Sequence, residues 1–207
     1  MSADRFDLER VHNFFDASLK DEDDVLMDEY LSGYNEIFKF FSLMGSVFSF
    51  VSSDLKQKIE ILEEFRKKDN GDKFYSIKTM MDYEKAAGLL VKTDYVSGSR
   101  TLLRLHRGLD FIREFLKSVG GLQNNDKTCH ACQAAYNGTL AKYHPWLVRK
   151  GANVAMYAMP TREQLLKKVC ADMDRAIEVL PQMLEVTAKV YDRTDNLYTE
   201  FDLHSLP

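Results

Sequence analysis

Proline and glycine are scarce in this chain of 207 residues, with four of the first and ten of the second. Sustained alternation of apolar and polar residues is missing as well. A fold of many short strands needs both turn residues and alternation, so an all-β reading is excluded. Cysteine is rare, and its count of three is odd. Reduced thiols in an intracellular protein fit that count better than a disulfide scaffold does. Long apolar runs are absent. The most apolar stretch, FFSLMGSVFSFV over residues 40–51, is bracketed by Lys39 and Asp54 and is too short to span a bilayer. There is no excess of positive charge. The net charge of −4 argues against a nucleic-acid binder. The opening MSADRFDLER is acidic and lacks an apolar core, so no signal peptide is read there and a cytosolic protein is expected. Neither an internal repeat, a low-complexity tract nor a linker interrupts the chain. One domain over residues 1–207 is expected, large enough to bury a sizeable core.

Helical periodicity fills the space those absences leave. Residues 7–20 place Leu8, Val11, Phe14 or Phe15, and Leu19 on one face. KDEDD (20–24) reads as a solvated break, because four consecutive acids share no helical face. A second helix over 25–40 turns Leu26, Tyr30, Tyr34, Ile37, Phe38 and Phe41 inward. Gly45 marks a kink before another helical pattern that runs to about Lys68. DNGD (69–72) is a turn, residues 74–91 are helical, and SGS (97–99) starts a helix over roughly 99–118. Further helices follow at 127–143, 145–157, 161–170 and 173–201, with Thr161 and Gln164 spaced as a capping box. The expected fold is a single all-α domain of about eight helices in packed layers.

Three motifs carry polar chemistry. RTLLRLHRG (100–108) sets Arg100, Arg104 and Arg107 on one helical face, and that line continues into Phe111 and Phe115. SSDLKQKIE (52–60) places Asp54 and Lys58 four apart, where the most apolar segment ends. Read alone, that pair is equally a surface ion pair. AKYHPWLVRK (141–150) sets His144 and the sole tryptophan, Trp146, around a proline, and read alone this is a packed corner. Two other patterns carry less. CHAC (129–132) has only Cys170 besides, too few ligands for a structural zinc site, so its cysteines read as small core residues and no metal is expected. HRGLD (106–110) has no Gly-x-Ser-x-Gly elbow or cysteine nucleophile beside it, so an enzyme reading has no nucleophile and no cofactor is expected.

Taken in order, DxxxK, RxxxRxxR and YHPW resemble the glycolipid transfer protein superfamily, in particular its ceramide-1-phosphate branch. The likeness extends over nearly the whole chain, through SRTLLRLHRGLDFI and YHPWLVRKGANVAMYAMPTRE. It implies a two-layer helical sandwich that sheathes lipid chains between its layers. It implies that Asp54 accepts from the ceramide amide N–H and that His144 donates to the amide carbonyl. Lys58, Arg100 and Arg104 would grip the phosphate, with Arg107 in or near a second layer around it. Trp146 would touch the membrane, helped by Lys142, Arg149 and Lys150. Where glycolipid-binding members carry a sugar-stacking tryptophan, this chain has Arg104, which points to a phosphate headgroup.

Elementary physics agrees with that implication. A sphingolipid has roughly thirty methylenes, each costing about 0.8 kcal/mol in water. A carrier needs a dry sleeve, for which Phe40, Phe41, Leu43, Phe48, Phe50, Val51, Phe111 and Phe115 are candidates. It also needs cations for the phosphate, and bidentate arginine suits a phosphate better than a neutral sugar. The expected partners are ceramide-1-phosphate or a related phosphosphingolipid and, transiently, a membrane surface. No nucleic-acid partner is expected, and the protein is expected to be a monomer. The rivals are a glycosphingolipid carrier or sensor of the same fold and a helical protein-interaction scaffold without transfer activity.

Overall fold

Local capping sets where most helices begin. A computed structural model describes residues 5–207, apart from the side chains of Ser46, Val47 and Phe50. Its helices are α1 (Leu8–Ser18), α2 (Met27–Leu43), α3 (Ser49–Lys67), α4 (Ile77–Ala86), α5 (Gly98–Gly120), α6 (Cys129–Gly138), α7 (Trp146–Met156), α8 (Arg162–Val169) and α9 (Met173–Glu200). Asp7, Ser76, Ser97 and Asp172 each accept a backbone N–H from the first turn of the helix they precede. Thr161 and Gln164 form the expected capping box at the start of α8. Pro181 lies within α9 on its exposed side.

The boundaries depart from the sequence reading at three places. KDEDD is a tight hairpin, with β1 (Leu19–Lys20) paired antiparallel to β2 (Asp24–Val25). Asp21 takes the left-handed conformation at φ 52°, and Arg193 from α9 donates to its carbonyl at 2.7 Å. The second helix therefore starts at Met27 rather than 25, and Val25 is a fully buried strand residue. The expected helix over 74–91 is broken. Gly88 ends α4 with φ +63°, a conformation open to glycine, and short 3₁₀ turns at Gly71–Phe74 and Leu89–Val91 flank the helix. The expected helix over 127–143 stops at Gly138, and Ala141–Tyr143 form a separate 3₁₀ turn.

The helices pack as two layers around one core. In one run α1 packs on α2 and α2 on α3; in the other α9 packs on α5 and α5 on α6. Contacts of α1 with α9 and of α3 with α5 close the runs on each other. The core is rich in aromatic rings: Phe15, Tyr30, Tyr34, Phe74, Phe115 and Tyr198 are almost wholly buried. Tyr34 donates to the Leu105 carbonyl at 2.6 Å and Tyr198 to the Ser99 carbonyl at 2.7 Å, so two buried hydroxyls tie α2 and α9 to α5. Cys129 and Cys132 are buried core thiols, and burial pushes Cys132 up to about 12. Among the described residues no helix is long and apolar enough to cross a membrane.

Candidate functional site

Helix α5 begins on a buried carboxylate. Glu84 of α4 is fully buried and accepts from the Gly98 and Ser99 N–H groups at 2.6 and 2.9 Å. It also accepts from the Ser97 and Tyr95 hydroxyls at 2.8 and 2.9 Å. A negative charge at a helix N-terminus is favourable, and four donors offset its desolvation. Glu84 thereby sets the position of the helix that carries the arginine stripe.

The stripe divides into three environments. Arg100, in the first turn, points to the preceding loop and donates to the Lys92 and Tyr95 carbonyls at 3.1 and 2.6 Å. It does not line the cavity described below. Arg104 is exposed, lines that cavity, and has no hydrogen-bond or ion-pair partner among the described residues. Arg107 lines the cavity too. Its guanidinium donates to the His204 carbonyl at 2.9 Å and lies 4.1 Å above the Tyr143 ring, which ties the 201–207 tail and the turn before α7 to α5.

The cavity measures about 650 Å³, within the range of small-ligand sites. Its polar wall brings together Asp54, Lys58, Arg104, Arg107 and His144. Lys58 is only 7 % exposed, and its ammonium pairs with the more exposed carboxylate of Asp54 one turn earlier on α3. His144 sits in the extended residue after the 3₁₀ turn, with Nδ1 2.8 Å from the hydroxyl of buried Tyr136. Burial lowers the pKa of His144, and the nearby Asp54 charge opposes that shift. Burial also raises the Tyr136 phenol, so it stays protonated.

The remaining lining is mostly apolar and includes Phe41, Phe48, Val51 and Phe111 from the proposed sleeve. Phe40, Leu43 and Phe115, also candidates for the sleeve, do not line this cavity. Phe40 packs edge-on against Phe6 at 5.2 Å and Phe115 at 6.2 Å, and these rings form the core behind the cavity wall. Leu43 is half-buried against that core. Phe50, also expected in the sleeve, lies outside the described side chains. The structure adds Leu55, Ile112, Tyr136, Leu140, Ala152 and Met156, most of them from α5, α6 and α7.

Two neighbouring groups do not belong to this site. His106 is 2 % exposed and lies in the core, stacked on Tyr191 at 4.3 Å, with Nε2 3.0 Å from Asp195 of α9. Burial lowers its pKa against the opposing pull of Asp195. The Asp110 of HRGLD pairs with Arg113 instead.

Helix α7 closes one side of the cavity and shows apolar side chains to solvent. Trp146 is 60 % exposed, Leu147 74 % and Val154 69 %, with Tyr143, Val148 and Tyr157 exposed beside them. Lys142, Arg149 and Lys150 are exposed there too, and the Lys150 ammonium lies 4.6 Å over the Trp146 ring. The sequence singled out Trp146 and the three cations but not Leu147, Val154 or Tyr157. Their spacing of seven and three was the available signal.

Comparisons with known proteins agree with this architecture. The family model described as glycolipid transfer protein matches residues 25–171. A ceramide-1-phosphate transfer protein of Danio rerio is 39% identical over 99% of this chain and 100% of its own length. The crystal structure of mouse ceramide-1-phosphate transfer protein in its apo form superposes with a TM-score of 0.92 at 35% identity, covering 98% of this chain and 100% of that one. The human ceramide-1-phosphate transfer protein, in complex with 12:0 ceramide-1-phosphate, superposes with a TM-score of 0.87 at 32% identity over 98% of this chain and 100% of that one.

Proposed function

The chain belongs to the glycolipid transfer protein family, and from that premise we propose that it carries ceramide-1-phosphate between membranes without chemical change. One observation supports this reading above the others. Arg104, a guanidinium without a partner among the described residues, stands at an apolar cavity beside the buried ammonium of Lys58. An apolar cavity with unspent positive charge at its wall suits a ligand with an anionic head and oily tails. A neutral sugar would leave that charge uncompensated.

In this reading Lys58 and Arg104 hold the phosphate, and Arg107, on the same wall, is braced by the His204 carbonyl and the Tyr143 ring. Asp54 accepts from the amide N–H and His144 donates to the carbonyl. The chains enter between Phe41, Phe48, Val51 and Phe111. The exposed face of α7 docks on a membrane through Trp146, Leu147 and Val154, with Lys142, Arg149 and Lys150 meeting anionic headgroups. A few side chains and cations give reversible contact, as a shuttle requires. The protein is cytosolic, is not an enzyme, and forms and breaks no covalent bond.

The test is transfer of fluorescent lipid between two vesicle populations, one lipid per experiment. Fast transfer of ceramide-1-phosphate and none of galactosylceramide is expected. Transfer of galactosylceramide alone would overturn the headgroup assignment, and transfer of neither would overturn carriage.

A further inference from the structure

His144 has a dedicated partner that neither the motifs nor the phosphate site accounts for. Tyr136 reaches it from α6, with the phenolic oxygen 2.8 Å from Nδ1 and the two rings tilted at 35°. Both residues line the cavity. The hydrogen bond can run two ways. If Nδ1 donated, the phenolic proton would need another acceptor, and Tyr136 has none among the described residues. If Tyr136 donates, both groups are satisfied and the imidazole proton lies on Nε2. A neutral imidazole is the form that partial burial favours, so its single proton has one place to be.

We propose that Tyr136 is a positioning residue that holds His144 in the Nε2–H tautomer, so that the cavity meets an amide with one fixed acceptor, Asp54, and one fixed donor, His144. The amide part rests on the function proposed above; the tautomer does not. A carboxylate accepts only, and an imidazole locked in this way donates only at its free nitrogen. Such a pair fits an N-acyl linkage in one orientation, with N–H toward Asp54 and C=O toward His144. Without the Tyr136 hydroxyl the ring is free to exchange tautomers, and part of the population offers the carbonyl a lone pair.

The first arm of the test needs no lipid. Histidine is labelled with ¹⁵N, and the His144 signals are assigned by their loss in His144→Gln. A protonated Nε2 and a hydrogen-bonded, unprotonated Nδ1 are expected, with the Nδ1 signal shifted in Tyr136→Phe. A protonated Nδ1 in the native protein, or identical His144 signals with and without the hydroxyl, overturns the proposal. The second arm measures retention of ceramide-1-phosphate from vesicles. Tyr136→Phe, which keeps the buried ring, is expected to weaken it about fivefold, the scale of one hydrogen bond. In the His144→Gln background the same change should add nothing, because the glutamine amide donates without tautomer selection. Equal losses in both backgrounds would make Tyr136 a packing residue only. If the native protein retains no lipid, carriage fails while the ¹⁵N spectrum still decides the tautomer.

Discussion

Helices α5 and α7 break the amphipathic rule in opposite directions. Helix α5 turns Arg104 and Arg107 to a cavity whose other lining is mostly apolar, while α7 turns Trp146, Leu147 and Val154 to water. Neither an unpaired charge beside an apolar lining nor apolar side chains in water add to the stability of the fold. Each is retained where something outside the chain is expected to compensate it: an anionic headgroup for α5 and a bilayer for α7. Helix α9 makes the contrast plain. It is as long as any helix here, and its buried side chains Val179, Val186 and Val190 simply fill the core.

Removing the charge from α5 should have the largest effect. Arg104→Leu is expected to reduce ceramide-1-phosphate transfer a hundredfold or more, since two charge-assisted hydrogen bonds at about 1.5–3 kcal/mol each are lost. The circular dichroism should not change, because the side chain is exposed and has no partner among the described residues. Retained transfer with an unchanged spectrum would mean that Arg104 does not hold the headgroup.

Loosening the start of α5 tests the scaffold behind the charge. Glu84→Ala strips the partner from four donors and is expected to cost about 3 kcal/mol, a fall in Tm of roughly 6–12 °C in a thermal melt. An unchanged Tm would mean that the helix start is held elsewhere.

Removing the exposed apolar side chains of α7 should act on membrane contact and not on lipid binding. Trp146→Ala combined with Leu147→Ser should slow transfer about tenfold and weaken vesicle flotation, while lipid already loaded stays bound. A loss of bound lipid instead would place these side chains in the sleeve rather than at the membrane.

The smallest effect concerns acid. Burial holds His106 and His144 below the usual histidine range, whereas in the unfolded chain both titrate at about 6.5. The unfolded state then binds more protons as the pH drops, so this stability is complete above about pH 7 and declines below about 6.5. Asp195, held low by its hydrogen bond from His106, adds a further loss at still lower pH. Melts at pH 7.5 and 5.5 should give the lower Tm at 5.5, with part of the difference removed in His106→Gln. An unchanged difference would assign the slope to His144 or to other groups.

The long helices are legible in the sequence because a period of 3.6 over fifteen or more residues is hard to imitate. The hairpin over 19–25 is not, since two-residue strands leave no alternation to count and its clamp, Arg193, lies far along the chain. Asp54, Lys58, Arg104, Arg107 and His144 are legible as motifs, and they do share one cavity. The turn of Arg100 toward Lys92 and Tyr95 is not legible, because its acceptors are backbone carbonyls that any sequence supplies. Phe111 and Phe115 lie four apart on one helix, yet only Phe111 faces the cavity. Residue type and spacing identify an inward face, and tertiary packing decides which part of that face stays open.

A cationic stripe that meets an apolar one suits a ligand that is amphipathic and anionic. Native mass spectrometry of the protein recovered from vesicles containing equal ceramide-1-phosphate and galactosylceramide tests it most directly. A single ceramide-1-phosphate adduct on the native protein, absent from Arg104→Leu, is the predicted result. A galactosylceramide adduct, or a ceramide-1-phosphate adduct that survives Arg104→Leu undiminished, would contradict it.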